Sequence, residues 1–256
     1  MRVVLVTLAL FLSLFFEATR AATLLRSVAK SAKMGTAGFP EVDVKKLNVG
    51  DKLELRQTSD KCDTKYCIKT HYANQTNEFF DNTTNKDEWQ LQVYQYARAV
   101  FDQVGFHKVA DVGCGSGYKL VKFFGDASTV GYDLEPTLTW LRNKYPKKKW
   151  TLSDFGSKDV SPVDLVISAD VVEHVPDPDA YMRYLLKFNA QYYVVSTPDR
   201  DLLSASGGPP VNPAHVREWT HDEFANYAST QGFHILDARV YRPQSTMWFL
   251  LERSSR

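Results

Sequence analysis

The sequence predicts an α/β fold: a doubly wound, mostly parallel sheet of seven strands with an antiparallel hairpin at one edge, preceded by an N-terminal extension. Three observations predict it. Short runs rich in Val and Ile alternate with helical patterns from residue 86 to the C-terminus, as in a parallel sheet covered on both faces. The last two strand-like runs have no helix between them, so they pair antiparallel. A turn with glycine at alternate positions, Gly113, Gly115 and Gly117, follows the first strand, where open α/β sheets receive their ligands.

The domain opens with a helix. In "DEWQLQVYQYARAVFDQV" the apolar residues Trp89, Val93, Tyr96, Ala97, Val100 and Val104 recur at steps of three and four, which is one helical face. "HKVADVG" is the first strand and "GYKLVKFFG" the helix after it. "STVGYD" is the second strand, followed by the helix "PTLTWLRNKY", which Pro136 opens at a favourable first-turn position. "KKWTLSD" and "VDLVISAD" are the third and fourth strands. A helix through "PDAYMRYLLKF" leads to the fifth strand, "QYYVVST". After a Gly/Pro-rich loop, "THDEFANYASTQGF" begins with Thr220 and carries Glu223 three residues on, the pattern of a capping box. "HILDARVYR" and "TMWFLLERS" close the chain, joined by a short turn containing Pro243.

Ahead of this domain the chain has a different character. Residues 1–21, "MRVVLVTLALFLSLFFEATRA", place one arginine before an apolar run and small residues after it, the pattern of a secretory signal peptide cleaved after Ala21. The run is too short for a permanent span, so no stable membrane span is expected after cleavage. The basic, Ser/Ala-rich continuation "LLRSVAKSAKMG" leaves a mitochondrial or plastid address as the alternative. Residues 22–85 lack periodicity and read as an N-terminal arm. They hold Cys62 and Cys67, which can close a small loop or stand as separate thiols, and the sequons at Asn74 and Asn82. A net charge of +1 gives no reason to expect a nucleic-acid partner.

The glycine turn discriminates between ligands. A dinucleotide fold wants G-x-G-x-x-G, but Tyr118 stands at the sixth position and the spacing is G-x-G-x-G. The G-x-x-x-x-G-K-[ST] phosphate loop is absent. Asp111, two residues before the first glycine, would repel a pyrophosphate and attract a sulfonium or ammonium. Asp133 ends the second strand about 20 residues after the turn, where a ribose-binding acid belongs.

Four stretches, "VADVGCGSG", "VGYDLE", "LSDF" and "DLVISADVVEHVPDP", resemble in order and spacing the motif series of class I S-adenosylmethionine-dependent methyltransferases, over about residues 87–256. The resemblance implies a Rossmann-like sheet with S-adenosylmethionine as cofactor. It implies that Gly113, Gly115 and Gly117 line the methionine and ribose portion and that Asp111 orients the methionine end. It further implies that Asp133, with Leu134 beside it, holds the ribose hydroxyls and that Asp154 and Phe155 contact the adenine. The resemblance also implies that Ser168 and Ala169, at the end of the fourth strand, stand beside the reacting methyl group.

Methyl transfer is an in-line displacement at a sulfonium carbon, so the protein must hold an acceptor lone pair opposite sulfur and take up a hydroxyl's proton. His215, in the irregular loop "GGPPVNPAHVREWT", is expected to be the general base. Glu173 and His174 are further catalytic candidates, with bracing of the cofactor loop as their other reading. Asp170, Arg200, Arg217 and Trp219 are expected to bind the acceptor. No spacing demands a metal and none is expected, although Asp170, Glu173 and His215 could be assembled into a site. The stretch "STPDRDLLSASGGPPVNPAHVREWT" is similar to one in bacterial methyltransferase domains linked to glycan assembly. With the signal segment and the sequons, it points to O-methylation of a sugar or glycan hydroxyl in the secretory pathway. The alternatives are a small-metabolite O- or N-methyltransferase in an organelle and a non-catalytic adenosyl-binding scaffold. A nicotinamide oxidoreductase is disfavoured by Tyr118.

Overall fold

The fold is that of a computed structural model, which describes residues 89–153, 155–156, 160–203 and 210–254. The signal segment, the arm with Cys62, Cys67, Asn74 and Asn82, and Asp154 lie outside the described residues. The chain divides into two units, one of residues 53–98 and 106–256 and the other of residues 1–52 and 99–105. In the second unit only residues 99–105 are described, as the end of the first helix and its terminal glycine. Among the described residues no helix is long and apolar enough to cross a membrane.

Helix α1 spans Leu91–Val104. Then come β1 (Lys108–Val112), α2 (Tyr118–Phe124), β2 (Ser128–Asp133), α3 (Thr137–Lys144), β3 (Lys149–Leu152) and β4 (Leu165–Ala169). Helix α4 (Pro178–Lys187), β5 (Tyr192–Pro198), α5 (His221–Thr230), β6 (Phe233–Tyr241) and β7 (Thr246–Arg253) complete the domain. All seven expected strands and all five expected helices are present, with boundaries shifted by a few residues. Trp89 is the main departure in α1: it precedes the helix and is half exposed.

The strands form one sheet in the order β3-β2-β1-β4-β5-β7-β6. β1 pairs parallel with β2 and β4, β2 with β3, and β4 with β5. β7 enters antiparallel between β5 and β6, so the hairpin sits at the edge with its second strand inward. Every residue of β4 and all but the last of β5 are buried, which is why both read as unbroken apolar runs rather than alternating ones. Helix α4 buries Tyr181, Met182, Tyr184 and Leu185 and starts on Asp177, whose side chain accepts from the Ala180 N–H at 2.9 Å. Helix α5 starts on the expected capping box. The Thr220 hydroxyl accepts from the Glu223 N–H, and the Glu223 carboxylate accepts from the Thr220 N–H. Successive strands run outward from β1 in one direction to β3 and in the other through β4. The order therefore reverses between β1 and β4, and the crevice outside their carboxyl ends is the place for a ligand.

Candidate active site

A cavity of about 1020 Å³ opens at that crevice. Its first wall is the turn after β1. The Gly113 and Cys114 N–H groups donate to the Tyr132 carbonyl at 2.8 and 3.1 Å, tying the turn to β2. Gly113 has φ +79°, and a Cβ there would run into the Val171 side chain. Glycine at 113 is thus required twice, by its left-handed backbone and by the close approach of the segment after β4. Asp133, at the end of β2, closes the turn. Its Oδ2 accepts from the Gly115 N–H at 2.6 Å and its Oδ1 from the Leu134 N–H at 2.8 Å. Burial pushes the Asp133 carboxyl up to about 6, against the lowering effect of those two backbone donors. Gly113, Gly115, Asp133, Leu134, Phe155 and Ala169 all border the cavity.

Asp111 lies beneath this wall, fully buried. Its Oδ2 accepts from the Tyr94 hydroxyl of α1 at 2.8 Å, whereas its Oδ1 has no hydrogen-bond partner. Burial drives its carboxyl up to about 7, opposed by the Tyr94 hydrogen bond and by Lys119. An orphaned carboxylate oxygen here suits a cationic neighbour better than a phosphate.

The second wall is built after β4. Asp170 takes φ +54° and is held there by β5. Its N–H donates to the Ser196 carbonyl and hydroxyl at 3.1 and 3.0 Å, and the Ser196 hydroxyl donates to its Oδ1 at 2.5 Å. A 3₁₀ turn, Val172–His174, follows. The loop before α5 is tied to that turn, because the Val216 and Arg217 N–H groups both donate to the Glu173 carbonyl, at 2.7 and 3.4 Å. This backbone pairing brings His215 against His174, with ring centroids 4.8 Å apart.

The result is a buried polar cluster. Glu173 is fully buried; its Oε2 accepts from the Thr197 hydroxyl at 3.1 Å, and its Oε1 has no hydrogen bond. Burial, then the negative charge of Asp170, pushes its carboxyl well above the usual range. His174 Nδ1 meets the Ala214 carbonyl at 3.0 Å, and its Nε2 stands 3.8 Å from Glu173 Oε1. Burial and the neighbouring His215 lower the His174 ring to about 4, so it is neutral at physiological pH. His215 Nδ1 meets Glu218 Oε1 at 2.5 Å and its Nε2 meets the Asn212 amide nitrogen at 2.9 Å.

Several sequence expectations are corrected here. Gly117, with φ +65°, does not border the cavity; a Cβ on it would come within 2.7 Å of Trp150 and 2.8 Å of Leu141. Its glycine is needed for packing where α2 begins. Ser168 also lies off the cavity, fully buried, with its hydroxyl 2.7 Å from that of Tyr181. Trp219 is fully buried and stacks on Tyr227 with centroids 5.5 Å apart, so it belongs to the core and not to an acceptor surface. Arg217 is buried over the Trp219 ring, and Arg200 is buried with its guanidinium on Glu223 at 2.5 Å. Both arginines are absorbed by internal partners and neither borders the cavity. Asp111 does not border it, whereas its hydrogen-bond partner Tyr94 does. Asp170, Glu173, His174 and His215 do border it. The sequence reading missed Tyr94, Asn212 and the exposed rim residues Trp89 and Val211. Trp89 was read instead as the first residue of the apolar helical face, because it stands four residues before Val93.

A family described as a methyltransferase domain matches residues 71–238. A probable S-adenosylmethionine-dependent methyltransferase of Mycolicibacterium smegmatis is 30% identical over 137 residues, which is 50% of this chain and 52% of that protein. The chain spans about half the length of the curated relatives it matches. Among solved structures, an S-adenosylmethionine-dependent methyltransferase from Clostridium acetobutylicum superposes with a TM-score of 0.53 at 13% identity, over 67% of this chain and 94% of that one. The Burkholderia thailandensis 1,6-didemethyltoxoflavin-N1-methyltransferase, solved with bound S-adenosylhomocysteine, gives 0.53 at 18% identity, over 68% and 84%. At these identities the likeness shows a shared fold.

Proposed function

We infer that this chain, which belongs to the methyltransferase-domain family, is an S-adenosylmethionine-dependent enzyme that methylates a hydroxyl oxygen on a small, sugar-like or glycan acceptor. One observation carries the reading: a single cavity joins a glycine-and-carboxylate cradle at the ends of β1 and β2 to a largely buried Glu–His–His cluster, built by the turn after β4 and the loop before α5.

The residues present fit the cofactor. Gly113 and Gly115 let a ligand approach the backbone, and the Asp133 carboxylate keeps lone pairs beyond those used by Gly115 and Leu134, enough for ribose hydroxyls. Leu134 and Phe155 offer apolar surface for adenine, with Asp154 assigned to the same end by the sequence motif. Ala169 and Asp170 stand at the methyl end, where the half-buried Asp170 and the buried Glu173 carboxyl favour a cation. S-adenosylmethionine supplies a methyl carbon bonded to positively charged sulfur. The chain's own residues orient the acceptor, exclude water and take up its proton at the Glu173–His174–His215 cluster. His215 is the member best placed to do so directly. Glu218 holds its Nδ1, which makes Nε2 the proton acceptor; the Asn212 amide donates to that nitrogen at 2.9 Å and gives way to the acceptor hydroxyl.

The sugar-like acceptor is supported by the exposed Trp89 at the rim, which offers an aromatic face to the apolar side of a pyranose, with polar groups beyond it. The secretory pathway is the matching place of action, supported by the apolar N-terminal run and the sequons at Asn74 and Asn82. The test is methyl transfer from labelled S-adenosylmethionine by the full chain to a panel of glycans, free sugars and hydroxylated or amino metabolites. Label on a sugar oxygen is expected. Label only on amines refutes the acceptor class, and failure to bind S-adenosylmethionine refutes the whole reading.

A further inference from the structure

We propose that Glu173, His174 and His215 hold one divalent transition cation of the zinc class, whose open position faces the acceptor side of the cavity. Each of the three offers a ligand atom, and these atoms lie within 4.8 Å of one another. Around a cation with bonds of about 2.0–2.2 Å, tetrahedral ligand atoms stand roughly 3.4 Å apart, so modest side-chain movements close the set.

Proximity alone would not make a site; two further observations do. The first is the orphaned Glu173 Oε1, an oxygen of a fully buried side chain in the cavity wall that accepts no hydrogen bond. A buried carboxylate left half satisfied calls for a partner, and a cation is one. The second is the orientation of both imidazoles. A carbonyl only accepts, so the 3.0 Å contact to Ala214 puts the proton of His174 on Nδ1 and the lone pair on Nε2, 3.8 Å from Glu173 Oε1. His215 repeats the device with a carboxylate. Its Nδ1–H donates to Glu218, which puts the lone pair on Nε2; the Asn212 amide N–H donates to that lone pair at 2.9 Å and must swing aside for a cation to take it. Carbonyl or carboxylate on the far nitrogen is how proteins fix metal-binding histidines and raise their basicity.

Two imidazole nitrogens and one carboxylate oxygen suit zinc and its first-row neighbours, whereas magnesium and calcium want oxygen shells. Three protein ligands leave room for a substrate oxygen, and a cation there acidifies a hydroxyl. This role rests on the methyl-transfer reading. The acceptor O–H bond breaks with its proton passing to solvent, and the oxygen pair forms the O–C bond. The methyl–sulfur bond breaks with its electron pair going to sulfur. In this use His215 Nε2 is a ligand and not the base.

The test is calorimetric titration of Zn²⁺ into the chelator-stripped full chain, alongside titration of S-adenosylmethionine. One equivalent per chain is expected, and Co²⁺ should replace it with visible absorption from a nitrogen- and oxygen-ligated site. Glu173→Gln and His215→Gln should each abolish stoichiometric Zn²⁺ binding, and Glu218→Gln should weaken it by about 10–100-fold. Cofactor affinity and melting temperature, measured on each variant, should stay near wild type. Absence of stoichiometric Zn²⁺ binding overturns the site and leaves methyl transfer standing, as does wild-type affinity in both ligand variants. Zn²⁺ binding without S-adenosylmethionine binding keeps the site and overturns the function. If either variant unfolds, the Co²⁺ spectrum of the wild-type chain decides, and its absence counts against the site.

Discussion

Lowering the pH from 8 to 5 should weaken S-adenosylmethionine binding about 10-fold through Asp133, a component that Asp133→Asn should lack. Burial raises the Asp133 carboxyl to about 6. The protonated form therefore predominates below that pH, and only the ionised form presents two acceptor oxygens to ribose hydroxyls. For binding that needs the ionised form, affinity falls by the factor 1 + 10^(6 − pH), which is ~11 at pH 5 and ~1 at pH 8. The sign follows from the raised value: affinity climbs with pH up to about 6 and is flat above it. Asp133→Asn removes the charge and one acceptor, and leaves one of the Gly115 and Leu134 N–H groups facing an amide donor. Hydrogen bonds to charged groups contribute about 1.5–3 kcal/mol, so the variant should bind ~10–150-fold more weakly at pH 8. The assay is calorimetry on both proteins at pH 5, 6, 7 and 8. Asp111 titrates nearby and is itself raised in part by the Asp133 charge, so the pH dependence is read as the ratio of the two proteins' affinities. A ratio that stays constant across this range refutes the assignment of the carboxylate to the cofactor.

Three further outcomes follow from the geometry. Trp219→Ala should lower stability by about 3–5 kcal/mol, because it empties a fully buried ring site stacked on Tyr227. An acceptor contact would instead raise KM with stability intact, and thermal melting beside kinetics separates the two. Gly117→Ala should cost roughly 1–3 kcal/mol, since its Cβ meets Trp150 and Leu141 from a left-handed backbone; an unchanged melting temperature would count against this packing role. Asp111→Asn should gain on the wild type as pH rises. The native carboxyl, lifted by burial from 3.8 to about 7, contributes most when protonated and loses that contribution as pH rises through 7. The stability of the variant relative to the wild type should rise by about 4 kcal/mol between pH 4 and pH 8 in denaturant unfolding, and parallel curves would refute it.

The fold was legible because its signals are local. Val/Ile runs such as "VDLVISAD" become β4 with every residue buried, and "THDEF" becomes a capped helix start, without help from distant parts of the chain. The cradle was legible for a related reason. Gly113 and Asp133 sit at strand ends whose position in the sheet follows from strand order alone. Gly117 was misread because glycine serves equally for ligand approach and for internal packing, and only the position of Trp150 tells which.

The acceptor side was harder, because residue type does not reveal burial when the chain pairs with itself at long range. "HVREWT" has the composition of a binding loop, with aromatic, arginine and histidine together. In the fold this segment runs beside Glu173 and Asp199: Val216 and Arg217 donate to the Glu173 carbonyl, and Trp219 bridges to Asp199. That pairing turns Trp219 inward against α5, gives Arg217 the Trp219 ring to cover, and leaves His215 toward the cavity. The same bonds set His215 beside Glu173 and His174 from some 40 residues away in sequence. One cause thus explains both the misread Arg217 and Trp219 and the way the catalytic candidates Glu173, His174 and His215 come together. Shifting this pairing by one residue would exchange which side chains face the core, so the loop's register, more than its composition, sets what the cavity offers an acceptor.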